Sequence, residues 1–394
     1  MVSSKGLDVI WLSLDRVDNK YSSTSYSLAK ELSKTNRVFF VDNPATYGEL
    51  IKKTGKDASD VYTKVSGTPE KFLAFRPHRT WPVNWLNKEW LYTLASAVNN
   101  QLFMASLRRL IRDQRINDFV FVNVFDPFYA RTFAKDINPR LKVYYSVDDI
   151  RHSPYVAKHG PRLEQEIVKN YDLTLTTSRQ LQTLLSAYGN NVQNLPNAAD
   201  IALFKTVQQK TFDRPEELQG VNNPVIVYTG HLDWRVDIPL LMSVAERNPD
   251  KVLLLVGPVS VSEETLSALK RLPNVIQTGS KPIELLPSYL QYSHCAIIPF
   301  KCNTLTESIY PLKINEYLAA GLPVVSTSFS LDIRQFENVI ALENQIPEFN
   351  QAIQLGVETD TTVKKAERVR AAEKNSWPAR AEMFWELVNK NINR

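Results

Sequence analysis

Residues 308 to 325 read SIYPLKINEYLAAGLPVV. The pattern predicts a helix that opens near Pro311, a residue suited to a first helical position, and stops at Gly321, which can supply a left-handed cap. Lys313 and Glu316 stand three apart, so they are neighbours on one face. One reading makes them a local ion pair contributing a few tenths of a kcal/mol, although a lysine in the first turn opposes the helix dipole. The other makes them two polar fingers aimed at a ligand. A helix N-terminus offers free N–H groups and partial positive charge to an anion, and Thr306 and Ser308 can add hydroxyl donors. Lys313 would extend that field over a diphosphate, while Glu316, acceptor-only, suits a pair of sugar hydroxyls. One face then takes both halves of a nucleotide.

Such a helix has to follow a strand whose carboxyl end opens on the crevice of an α/β sheet. Short apolar runs do alternate with amphipathic segments along the chain, which predicts parallel sheets. DVIWLSL (8–14), RVFFVD (37–42), DFVFVNVF (118–125), KVYYSVDD (142–149) and LTLTTS (173–178) read as strands, with a helix over SYSLAKELSK (25–34). PVIVYTG (224–230), VLLLVGP (252–258), NVIQTG (274–279), CAIIPF (295–300) and PVVSTS (323–328) form a second series. The expectation is two Rossmann-like domains, 1–196 and 223–375, joined by a polar linker 197–222 rich in Asn and Pro. A closing helix, 376–394, offers Trp377, Phe384, Trp385 and Leu387 for packing back on the first domain, an independent dimerisation helix being the alternative. A chain of 394 residues suits two such cores.

Acids also sit at strand ends of the first series: Asp15, Asp126 and the adjacent Asp148 and Asp149. Asp148 is the first choice for a polar group at a reaction centre and Asp126 the second. A single carboxylate within reach of a hydroxyl would act as a general base. The pair could instead be a helix N-cap with a first-turn acid.

Composition narrows the classes. Cys295 and Cys302 are too few for a disulfide framework and read as buried thiols. The five histidines are scattered with no metal-binding spacing, so no metal site is expected. No long uncharged apolar run appears, so nothing is expected to span a bilayer and a cytoplasmic protein is expected. The net charge of +5 is uneven, since residues 1–199 hold 27 basic against 19 acidic side chains and segment 50–115 holds 12 against 5. Within it Trp81, Trp85 and Trp90 interleave with Arg76, Arg79 and Lys88, so 76–100 would suit an anionic membrane surface; the alternative is tryptophans packed under a long loop. The aromatics fall in one cluster without nucleic-acid patterning, so nucleic acid is not an expected partner.

PLKINEYLAAGLPVVST resembles the C-terminal domain signature of GT-B glycosyltransferases, in particular family 4, the glycosyl transferases group 1, and related bacterial envelope-polysaccharide transferases of the teichuronic-acid type. The resemblance extends through LTLTTSRQLQ, NLPNAADIALF, VIVYTGHLDWRVDIPLL, NVIQTGSKPIELLPSYLQYSHCAIIPF and NSWPARAEMF, and it is their order that makes it specific. It implies two Rossmann-like domains facing across a cleft, a UDP- or GDP-sugar donor, a saccharide or lipid-linked acceptor, no cofactor and no metal, and retaining transfer. It further implies that Glu316 binds the ribose, that Lys313 and Arg235 contact the diphosphate, and that Gly230 lets backbone approach it. The family carries two glutamates separated by seven residues, and the first falls on Ser308; a one-residue shift would give its donor-sugar role to the adjacent Glu307. The alternatives are an inverting transferase with an Asp base, a nucleotide-sugar epimerase, and a silent nucleotide-sugar-binding protein, which Ser308 makes conceivable.

Overall fold

The computed structural model describes residues 6–18, 23–52, 60–152 and 156–392. Lys53 and Lys56 of the basic segment, the first five residues and Ser153–Tyr155 of the stretch after Asp149 lie outside them. The chain divides into two compact units, Met1–Pro196 with Arg380–Arg394, and Asn197–Ala379.

The first unit is built on eight strands: β1 Asp8–Ser13, β2 Val38–Asp42, β3 Val61–Thr63, β4 Phe72–Arg76, β5 Phe119–Val124, β6 Leu141–Ser146, β7 Leu173–Thr176 and β8 Val192–Asn194. They lie in the order β3-β4-β2-β1-β5-β6-β7-β8. All pair in parallel except β3, which runs antiparallel to β4 at the edge. A parallel strand covered on both faces needs a continuous apolar run, and every residue of β1, β2 and β5 is buried. Trp11 stands between Phe40 and Val122. The chain order reverses between β1 and β5, which opens a crevice at their carboxyl ends. β3 and β4 had no sequence signal because FLAFR is short and embedded in the basic segment. The buried face of the helix Glu89–Asp113 includes polar Ser96, Asn99 and Asn100 beside Phe103 and Leu107.

The second unit carries β9 Val225–Thr229, β10 Val252–Val256, β11 Val275–Gly279, β12 Cys295–Ile298, β13 Val324–Ser326 and β14 Ala341–Leu342. Their order is β11-β10-β9-β12-β13-β14, all parallel, with the switch between β9 and β12. The stretch expected as a linker belongs to this unit. Asp200 caps a short helix, Ile201–Lys205, and Phe204 and Leu218 are buried in the second core. The helix Trp377–Ile392 turns Phe384 onto Trp11, ring centroids 6.0 Å apart, and Arg380 donates from Nε to the Pro196 carbonyl at 2.9 Å. Cys295 is buried, its thiol pushed up to about 12 by that burial, but Cys302 is exposed beside Asn344, contrary to the reading of both as buried.

Candidate functional site

The carboxyl edge of the second sheet gathers the residues singled out from the helix motif. β9 ends at Thr229, and Gly230 turns the chain at φ +114°, a conformation that L side chains rarely adopt. Gly257 backs onto it so closely that a Cβ there would come 2.1 Å from the Gly230 carbonyl oxygen. In the loop that follows, Asp233 accepts the Arg235 backbone N–H at 3.1 Å. It also grips the guanidinium, Nε to Oδ1 at 2.9 Å and Nη2 to Oδ2 at 2.6 Å, the fork geometry of a strong charged pair. Burial pushes the Asp233 carboxyl up, but Arg235 outweighs it and holds the group below the usual carboxylate range. Asp237, which could have been Arg235's surface partner, accepts the Leu240 N–H at 3.0 Å and caps the helix Ile238–Arg247.

The motif helix runs Leu312–Ala320, one residue later than its sequence suggested, because Pro311 takes the cap position. No side chain caps its N-terminus, and Gly321 closes it in the left-handed conformation. Tyr317 fixes it to the sheet: its hydroxyl accepts the Thr229 N–H at 2.7 Å. Lys313 Nζ stands 4.0 Å from the Tyr228 ring centroid and 4.8 Å from that of Phe300, a cation held between aromatic faces. A Cβ on Gly230 would come 3.0 Å from that ammonium.

Among the described residues neither Lys313 nor Glu316 makes a close ion pair, although each attracts the other through space. Burial pulls Lys313 down to about 7, with Arg235 adding to the fall and Glu316 and Asp233 opposing it. Burial likewise pushes Glu316 up to about 7, against the attraction of Lys313. A cation with a weak hold on its proton and a carboxyl without a partner are arranged to gain from an incoming anion and incoming hydroxyls. The neighbouring loop contributes less directly. Ser308 is buried and donates to the Leu305 carbonyl at 3.2 Å, Thr306 donates to the Lys301 carbonyl, and Glu307 is exposed. Both hydroxyl donors expected for the anion are therefore already engaged.

The acids of the first unit sort differently from their sequence ranking. Asp126 is fully buried, accepting from Phe128 N at 2.8 Å and Tyr129 N at 3.2 Å on one oxygen and from Asn43 Nδ2 at 2.6 Å on the other. Burial pushes it up to about 6 against those bonds. It is a brace for the turn after β5 and is not presented to an acceptor hydroxyl, which corrects its place among the catalytic candidates. Asp148 is exposed and accepts the Asp149 N–H at 2.8 Å. Asp149, named among the strand-end acids but ranked below Asp148 and Asp126, is buried and forked to Arg151, Nε to Oδ1 at 2.9 Å and Nη2 to Oδ2 at 2.5 Å. Behind it Glu164 is pushed up to about 7 by burial, opposed by hydrogen bonds from Tyr144 and Ser146. Asp15 is also raised by burial, with Ser23 opposing. Among the described residues no three His, Cys, Asp or Glu side chains are grouped as metal ligands would be.

Asp233, Tyr228, Phe300 and Tyr317 were missed in the sequence. An Asp two residues before an Arg at a strand end was the available signal for the first; the ring pair below Lys313 had none.

Two sheets, parallel but for the edge strand β3, with these switch points are the GT-B fold, and solved glycosyltransferases share it. An E. coli chain titled trehalose-6-phosphate, bound with UDP-2-fluoro glucose, superposes with a TM-score of 0.71 at 12% identity, covering 98% of this chain and 99% of that one. HepE of Anabaena, in complex with UDP and glucose, gives 0.61 at 14% identity over 97% and 99%. Residues 223–355, the stretch that holds Gly230, Arg235, Lys313 and Glu316, match the model of the glycosyl transferases group 1. A Bacillus subtilis chain named as a teichuronic acid biosynthesis glycosyltransferase, TuaH, is 32% identical over 202 residues, 48% of this chain and 50% of that one. The alignment thus spans about half the length of the curated relative.

Proposed function

We propose that the protein transfers a sugar from a nucleotide-sugar donor to a hydroxyl of a saccharide acceptor in polysaccharide assembly. The observation that carries this reading is Lys313, held between two rings at the carboxyl edge of the second sheet beside Gly230, Arg235 and Glu316. UDP is the favoured nucleotide of the donor, by analogy with proteins of the same fold bound to UDP-2-fluoro glucose or UDP. In this reading Lys313 and Arg235 neutralise the diphosphate as the leaving group departs, and Glu316 holds the ribose hydroxyls. Transfer with retention needs no dedicated protein base, since the leaving phosphate can take the acceptor's proton, and the enclosure of Asp126 favours it over an Asp-base mechanism. Asp148, exposed, stays the candidate for a polar group near the acceptor, and Glu307 for the donor sugar. No metal is required in this scheme.

Calorimetric titration of UDP, GDP and ADP with EDTA present tests the core of it. One nucleotide should bind without metal and weaken at least about tenfold, 1.4 kcal/mol, in both Lys313→Ala and Glu316→Ala. Binding indifferent to both changes in folded variants would remove the reading, and binding restored only by a divalent ion would remove its metal independence.

A lipid-linked acceptor reached from the inner face of the cytoplasmic membrane is the finer reading. Among the described residues no helix is long and apolar enough to cross a membrane. Trp81, Trp85, Trp90, Leu94 and Val98 are all exposed, Trp85 at 71%, with Lys88 exposed among them. A stripe of that kind suits an anionic interface. Co-sedimentation with vesicles containing anionic lipid should fall in the double variant Trp85→Ala, Trp90→Ala; equal sedimentation of wild type and variant would rule the contact out.

A further inference from the structure

The first unit holds a cavity of about 280 Å³ at the carboxyl ends of β2, β4 and β5. Asn43 follows β2, Trp81 follows β4, and Phe128 and Tyr129 follow β5, so the crevice expected of a parallel sheet is here furnished with side chains. Its volume lies just below the roughly 300–1,000 Å³ of small-molecule sites, which suits one ring better than an extended chain.

The lining is built from the core outward. Asp126 receives the Asn43 amide N–H at 2.6 Å, so a buried carboxylate orients that side chain. Asn99 pins the Trp81 backbone from both sides, accepting its N–H at 2.9 Å and donating to its carbonyl at 2.8 Å. Trp81 leans on Tyr47 at 4.9 Å between ring centroids, and the Trp85 indole donates to the Pro82 carbonyl at 2.8 Å. Ser96 accepts from Arg131 at 2.9 Å. Tyr92, which lines the cavity, is 0% exposed and stacks on His159 at 3.8 Å, yet its hydroxyl is buried with no hydrogen-bond partner among the described residues. An unsatisfied buried hydroxyl costs about 1–3 kcal/mol, a penalty that a ligand hydroxyl would relieve.

We propose that this cavity is a subsite for one neutral sugar ring; that the ring is the acceptor's rests on the transferase reading above. Indole faces suit the C–H face of a pyranose, while an amide, two hydroxyls and the Glu49 carboxylate can exchange hydrogen bonds with its hydroxyls. The lining includes no lysine or arginine, and its one carboxylate, Glu49, is paired with Arg16 at 3.7 Å, so the cavity presents no uncompensated charge to a ligand. A lipid chain would bury Asn43, Tyr92 and Ser96 against groups that cannot hydrogen-bond.

The test is tryptophan emission titrated with methyl glycosides of glucose, galactose and N-acetylglucosamine, and separately with farnesol. At least one glycoside binds saturably, and Tyr92→Phe weakens it about tenfold while leaving Tm unchanged or raised, because the variant removes only the unpartnered hydroxyl. Saturable binding by none of the glycosides, equal binding to Tyr92→Phe, or binding of farnesol alone each overturns the proposal. Nucleotide titration of the wild type separates the two readings: saturable glycoside binding beside a failure to bind any nucleotide would sink the transferase assignment and leave this subsite standing.

Discussion

Each unit carries an Asp-x-Arg fork just beyond a parallel strand, and the two are nearly the same object. In Asp149–Arg151 and Asp233–Arg235 the Arg Nε lies 2.9 Å from Oδ1, and the Arg backbone N–H reaches that same oxygen at 3.0 and 3.1 Å. A histidine completes each, His152 at 3.6 Å and His231 at 3.5 Å from the outer oxygen. Their surroundings differ. Arg235 stands 5.9 Å from the Phe300 ring that also carries Lys313, and it adds to the burial that loosens that lysine's hold on its proton. Asp149 instead adds to the rise of Glu164, a buried acid. The fork is a local way of fixing an arginine at a strand end; what the arginine can do is set by the charge next to it. One site is short of negative charge and the other is not.

The comparison breaks most readily at the arginines. Arg235→Ala should weaken UDP binding by about 2 kcal/mol, roughly thirtyfold, by loss of charged hydrogen bonds, while Arg151→Ala changes it less than about twofold. Calorimetry that finds equal losses would erase the distinction.

The next effect is on pH. Lys313 is near 7 in the free protein, so a bound diphosphate raises it and binding takes up a proton above that pH. Affinity should therefore fall by up to about tenfold per unit as pH climbs past 7. Below 7 Glu316 takes a proton and the ribose contact weakens, giving an optimum near neutrality. Lys313→Arg should flatten the alkaline limb and Glu316→Gln the acid one; a limb that survives its variant belongs to another group.

A smaller effect is expected at Gly230, which has no counterpart in SVDD before the first fork. Gly230→Ala, at φ +114° and 3.0 Å from the lysine, should lower stability by about 1 kcal/mol in urea unfolding and shift Lys313. The smallest concerns the histidines: His231→Ala and His152→Ala should each change stability by less than about 1 kcal/mol, and a larger loss at one alone would show that the forks are braced unequally.

Much of this was legible in advance for a physical reason. Strands buried on both faces write themselves as uninterrupted apolar runs, so β1, β5, β9 and β12 stood out. Lys313 and Glu316 stood out because helix spacing and dipole sign conflict with a bland explanation. The short strands β3 and β8 carry too few residues for any period to emerge, and the supposed linker looked like one because its turns are polar while its buried anchors, Phe204 and Leu218, are isolated. Acid chemistry was the least legible. Asp126 and Asp148 occupy equivalent positions in sequence, and only the local N–H groups decide which is enclosed and which faces water. The cavity's Tyr92 sits in the first turn of its helix, in a stretch with no chemistry-bearing pattern.

Gly257 lies behind the proposed nucleotide site, leaning on the carbonyl of Gly230. In a saturation library scored by activity, position 257 should be as intolerant as the residues of the nucleotide site, since even alanine would push its Cβ to 2.1 Å from the Gly230 oxygen and force that turn apart. Intolerance there would mark the wall behind the site rather than the site, and a map of essential positions drawn from such a screen would outline one more layer of the protein than the substrate ever touches.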